Sequence, residues 1–190
     1  MISAALSQFA ERGFYGASIA QIAGEVGLTK QALLYHFKRK EDLYREVLMR
    51  IALRIQGQMQ RAIDPTQTPE EQVEAIFFAL YDVAIEYPLD TKVLLRELVD
   101  DQRREAPEEE WYLRFTINRM VNILDQVDAL RDVTSAEKLA RVYMGISAVE
   151  FFAGSASVLQ RFYGNDHYSQ VKKAYPDELR ALLRRMVQAG

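Results

Sequence analysis

The 190-residue sequence has no cysteine, which removes disulfide staples and thiolate metal sites together. Its only two histidines are His36 and His167, so no His-x-x-x-His zinc pair exists. There is no P-loop, dinucleotide glycine fingerprint or nucleophile elbow. The densest carboxylate run, Glu108-Glu109-Glu110, reads as a solvated helix start rather than an acid–base pair. Enzymatic activity, a cofactor and a resident metal are therefore not expected. No apolar run approaches the roughly 20 residues that cross a bilayer, and no basic, apolar, small-residue leader opens the chain. A soluble cytoplasmic protein with no membrane partner is expected. No stretch alternates with period two for long enough to argue a strand, and no repeat or low-complexity tract is present.

What is present points to helices. A hydrophobic content of 49% supports a sizeable core. The net charge of −3 is unevenly spread. Residues 1–50 hold seven Lys/Arg against five Asp/Glu, a local +2, which leaves −5 for the remainder. Positive charge gathered near the N-terminus favours phosphates there, while an acidic remainder limits non-specific binding to nucleic acid.

The organising stretch is Ser18–Phe37. Ile19, Ile22, Ala23 and Val26 share one face of a helical period, with Ser18 placed to cap it. Gly27 can take the left-handed conformation that ends a helix. Thr29 can cap a second segment in which Ala32, Leu33 and Phe37 pack inward, leaving Lys30, Gln31, Tyr35 and His36 to point elsewhere. That layout fits a helix-turn-helix, and it equally fits two small core helices joined by a glycine.

Around the turn, Ala4-Ala5-Leu6, Phe9-Ala10-Glu11-Arg12-Gly13-Phe14, Ile19-Ala20-Gln21-Ile22-Ala23, Val26-Gly27-Leu28-Thr29 and His36-Phe37-Lys38-Arg39-Lys40-Glu41-Asp42-Leu43 follow in order. Together they make the first quarter of the chain resemble the DNA-binding domain of the TetR family of bacterial transcriptional regulators. Many members place a tyrosine directly after the leucine matching Leu33, whereas here Leu34 intervenes before Tyr35. The resemblance implies a head reading double-stranded operator DNA. Lys30, Gln31 and Ala32 open the reading helix, where base edges are reached, and Thr29 at its cap is counted with the DNA-binding residues. Ser18, Tyr35, His36 and Lys40 are assigned to phosphates.

A first helix is expected from Ile2 to Arg12, ended by Gly13. Leu43, Val47, Ile51, Ile55 and Met59 recur every four residues and predict a long fourth helix to about Ile63, leaving the head (1–44) and entering a body (45–190). Thr68-Pro69-Glu70-Glu71 is a capping box with proline at the first helical position. The next helix carries Val73, Ile76, Phe77, Leu80, Tyr81 and Ala84 on one side. Beyond Pro88 a segment to about Arg104 should bury Val93, Leu94, Leu98 and Val99. Pro107 opens a further helix through Phe115, Met120, Ile123, Leu124 and Val127. Thr134-Ser135-Ala136-Glu137 caps one running to about Tyr163. His167 is placed in a polar loop, and Pro176 at a start or kink before Leu179–Val187. The expected fold is all-α with about nine helices.

Small residues within Tyr143–Ser157 (Gly145, Ser147, Ala148, Ala153, Gly154 and Ala156) signal close helix approach, either within the chain or across a dimer. The resemblance implies the latter, a homodimer formed by the last two long helices. It also implies a small-molecule effector pocket among the middle helices. The candidate lining is Phe77, Tyr81, Trp111, Phe115, Asn118, Asn122, Tyr143, Ser147, Glu150 and Phe151, though aromatics at such spacing are more often plain core. Glu150 either contacts ligand or reaches solvent or an arginine such as Arg119, since a buried carboxylate needs a partner. The combined expectation is a homodimeric, ligand-responsive repressor on a near-palindromic operator, released by an apolar or aromatic effector. The alternative is a helical dimeric DNA-binding or interaction protein with no small-molecule sensing.

Overall fold

The computed structural model describes residues 1–99 and 112–188. Ten α-helices follow in order among them: α1 (Ile2–Gly16), α2 (Ile19–Glu25), α3 (Lys30–His36), α4 (Lys40–Ala62), α5 (Pro69–Glu86), α6 (Pro88–Val99), α7 (Tyr112–Leu124), α8 (Ser135–Gly154), α9 (Ala156–Tyr163) and α10 (Asn165–Met186). A 3-10 turn, Asp128–Leu130, precedes α8. The described residues contain no strand.

Two compact units divide the chain. One is Met1–Arg54 with Tyr87–Tyr112; the other is Ile55–Glu86 with Leu113–Gly190. The boundary expected after residue 44 therefore falls inside α4, and α6 belongs with the head.

In the first unit the core holds Ala5, Phe9, Ala10 and Phe14 of α1, Leu43, Tyr44, Val47 and Ile51 of α4, and Ile22, Ala23 and Leu33 of α2 and α3, all buried. Tyr44 meets Phe9 and Phe14 edge-on, at ring separations of 4.7 and 5.2 Å. Its hydroxyl donates to Glu97 of α6 at 2.9 Å. Val93 and Leu94 are buried as expected, since α6 packs along α1. Leu98 and Val99 are exposed instead, and the expected extension to Arg104 lies outside the described residues. Arg54 of α4 pairs with the buried Asp90 and lies 3.9 Å over the Tyr87 ring. Gly13 breaks the regular path of α1, as its position suggested, but one further helical turn follows to Gly16.

In the second unit, α5 packs on α8, and α10 packs on α5, α8 and α9. The four-residue spacing along α4 ends in fully buried Ile55 and Met59. The Thr68 and Thr134 capping boxes form with reciprocal bonds to Glu71 and Glu137. The helix expected to run to Tyr163 breaks at Gly154-Ser155 and bends by 59°. A Gly/Ser pair is a recognised cause of such kinks, and here the Ser155 hydroxyl bonds back to the Phe152 carbonyl at 3.3 Å. Gly164 ends α9 as expected, but α10 begins at once, so His167 lies in its first turn rather than in a loop. Pro176 sits inside α10. Among the described residues no single helix is long and apolar enough to cross a membrane; α8 and α9 combine that length and composition only as a pair, bent by 59°.

Candidate functional site

The α2–α3 turn is fixed by backbone bonds that need glycine. The amide of Leu28 donates to the Ala23 carbonyl at 2.9 Å, and that of Gly27 to Gly24 at 3.1 Å. This pair of bonds is a Schellman motif, and it places Gly27 at φ 70°. A side chain at Gly27 would find open space, so conformation rather than crowding requires glycine there. Thr29 then caps α3, its hydroxyl accepting from the Ala32 amide at 3.1 Å. Ser18 occupies the N-cap position of α2, but its side chain makes no capping bond, contrary to expectation.

With α3 pinned by Thr29 and by fully buried Leu33, its polar side chains face outward while Leu34 is half-buried. Lys30, Gln31, Tyr35 and His36 are exposed, and Ala32 is half-buried. Tyr35 is 86% exposed and touches the His36 ring edge-on at 5.7 Å. Lys38 and Arg39 extend the exposed cationic surface past the end of α3. Spacing had not singled out these two. The surface offers hydrogen-bond donors, one amide able to read a base edge, and cations able to meet phosphates.

Lys40 is placed differently. Its ammonium donates to the Ala17 carbonyl at 3.1 Å and sits 4.6 Å above the Phe14 ring. It is half-buried and ties α4 to the α1–α2 turn. An ammonium has three donors, so a phosphate could still share it.

The effector candidates separate into two groups. Phe77, Tyr81 and Glu150 are buried, with Glu150 4% exposed rather than solvent-facing. Phe77 and Tyr81 of α5 both meet α8, at Gly145 and at Phe152. Tyr81 stacks 6.0 Å from Tyr175, and burial pushes both phenols above their ordinary range. Phe115, Asn118, Asn122, Tyr143, Ser147 and Phe151 lie on the surface. Trp111 lies outside the described residues. Among those described, no group of three or more His, Asp or Glu gathers to hold a metal ion.

Residues 1–47, which contain the pinned helix pair, match the sequence model of the bacterial regulatory proteins of the tetR family. The transcriptional regulator BetI of Brucella anthropi is 32% identical over 151 residues, covering 78% of this chain and 75% of that protein. The chain belongs to the TetR family of bacterial regulatory proteins. The transcriptional repressor KstR2 of Mycolicibacterium smegmatis is 31% identical over 46% of this chain, a match spanning 42% of that protein's own length. The fold agrees with a tetR-family regulatory protein from Rhodococcus RHA1, with a TM-score of 0.71 at 19% identity, covering 100% of this chain and 95% of the other. These named TetR relatives are regulators and repressors, not enzymes.

Proposed function

We propose that this TetR-family protein is a homodimeric, ligand-responsive transcriptional repressor of the cytoplasm that binds a near-palindromic operator. The observation carrying the DNA-binding half is the outward set Lys30, Gln31, Tyr35 and His36 on a helix held at its N-terminus by a Schellman turn and a threonine cap. In this reading Lys30, Gln31 and Ala32 approach base edges beside the Thr29 cap, and Ser18, Tyr35, His36 and Lys40 hold phosphates.

Dimerisation is supported by an exposed row on α8 that is apolar apart from Ser147. Leu139, Tyr143, Ser147 and Phe151 recur every four residues and all face outward, and Val158 and Phe162 follow on α9. Tyr143, Ser147 and Phe151 thus fit a subunit contact better than a pocket. Phe77, Tyr81 and Glu150 remain candidates for an apolar or aromatic effector with one polar group. The rival reading, a DNA-binding dimer without sensing, draws support from Phe152 and Tyr175. These rings stack face to face at 3.6 Å, so the protein's own side chains fill that part of the body.

The test is selection of operator DNA from a random library, followed by a titration in rising salt and a screen of aromatic small molecules for release. Enrichment of a two-fold symmetric sequence with a steep salt dependence supports the reading. Binding that no compound relieves leaves the rival. Absence of sequence preference overturns both.

A further inference from the structure

Arg96 had no sequence signal, yet it bonds from α6 to the main chain of α1. Its Nε donates to the Ala10 carbonyl at 3.2 Å, and an Nη donates to the Glu11 carbonyl at 3.1 Å. These carbonyls stand just before Gly13, where α1 departs from helical geometry at φ 70° and ψ 176°. Helix ends present carbonyls that need donors, and a planar guanidinium can serve two of them in one fixed orientation. The guanidinium also crosses Gly13 itself: a methyl group added there would lie 3.2 Å from Nη1.

The far end of the same turn is held by a second cation. Lys40 of α4 donates to the Ala17 carbonyl and covers Phe14. The Ala17 amide closes the turn onto the Gly13 carbonyl at 3.2 Å. The segment from Ala10 to Ala17 is thus gripped at both ends through its main chain, by Arg96 from α6 at Ala10 and Glu11 and by Lys40 from α4 at Ala17. Two residues later α2 begins, and α2 carries α3 through the glycine turn described above.

The geometry points to Arg96 as a positioning residue for DNA reading. It fixes the α1–α2 turn, and through that turn it fixes the direction in which α2 and α3 leave it. The inference rests on the operator-binding reading above. Arg96 is itself exposed, so its removal opens no core cavity. The loss should fall on recognition rather than folding, because a misdirected α3 loses several base and phosphate contacts together.

The experiment uses the full chain and the operator selected for wild type. Arg96→Ala is expected to weaken operator binding tenfold or more while binding to random duplex changes little, so the specificity ratio falls. The salt slope should stay within experimental error, because no phosphate contact is removed. The melting temperature should remain close to wild type, and hydrogen exchange should quicken at the Ala17 amide. Arg96→Lys, which can still reach one carbonyl, should recover part of the affinity. Wild-type affinity in Arg96→Ala would overturn the inference. So would a salt slope reduced by about one, which would make Arg96 a phosphate contact. A lowered melting temperature with normal binding by the folded fraction would overturn it too, by assigning Arg96 to stability alone. If wild type selects no operator, the underlying reading falls first and the inference with it, an outcome distinct from the other three.

Discussion

Gly145 of α8 lies directly against the ring of Phe77 of α5: a methyl group at Gly145 would stand 2.5 Å from Cε1 and 2.7 Å from Cζ. Phe77 is 1% exposed, so its ring has little room to withdraw. Alanine gains about 1 kcal/mol over glycine in helix propensity, while overpacking a tight core costs about 1–3 kcal/mol. The clash involves a rigid ring and should win. Gly145→Ala is expected to lower the midpoint of chemical denaturation, and Phe77→Leu in the same chain should restore part of it. A stabilised Gly145→Ala would show that α5 and α8 separate easily.

The Arg54–Asp90 pair gives a pH-dependent prediction. Burial pushes the Asp90 carboxyl above its ordinary value of 3.8, and Arg54 opposes that rise. Removing Arg54 leaves a buried carboxylate uncompensated, which costs about 3–5 kcal/mol in comparable pairs. Arg54→Met should therefore destabilise more than Asp90→Asn at neutral pH. A carboxyl with a raised folded-state pKa penalises the fold once ionised, and protonation relieves the penalty. The deficit of Arg54→Met should shrink as pH falls through the folded pKa of Asp90, above 3.8, towards that ordinary value. Denaturation curves across that range check this, and a deficit independent of pH would assign the cost to lost packing on Tyr87.

Within the head, Gln31→Ala should relax preference at one or two base pairs, by roughly 1–3 kcal/mol at those positions. Lys40→Ala should weaken binding to every sequence and also lower stability by about 1 kcal/mol, since it loses a bond to Ala17 and a cation–π contact. Affinity measured over a randomised operator library, beside thermal melts, separates the two. A Lys40→Ala protein with unchanged melting would mean that its tether to the turn contributes nothing.

Phe151 is 70% exposed at the centre of the apolar surface of α8 and α9. On the proposed dimer reading, Phe151→Asp should sediment as a monomer where wild type sediments as a dimer, without lowering helix content. A persistent dimer would place the subunit contact on another face.

The head was legible in sequence because its constraints are local. Gly27, Thr29 and Leu33 act within a few residues of one another, through turn, cap and apolar face, while the DNA-binding role came from the family resemblance of the surrounding segments. The body was legible where caps mark boundaries, at Thr68 and Thr134. It was less so where tertiary partners decide. Nothing local distinguishes exposed Phe115 and Phe151 from buried Phe77 and Phe152, because all four sit at helical spacing. The bend at Gly154-Ser155 depends on a short dipeptide within an otherwise strong apolar pattern. The docking of α6 on α1 joins residues more than 80 positions apart, as Arg96 and Ala10 do, and no periodicity reports that.

That docking makes the head discontinuous along the chain. Val93 and Leu94, which belong to its unit, are encoded after the whole of α5. A nascent chain emerging from the ribosome at residue 54 would have α1 through most of α4 but would lack α6. Domains generally fold as units during synthesis, so this head completes only after a helix of the second unit has already been made. Grafting residues 1–54 onto a foreign body would carry the reading helix and leave behind the surface that covers α1. A functional chimera would have to exchange α6 together with the N-terminal segment.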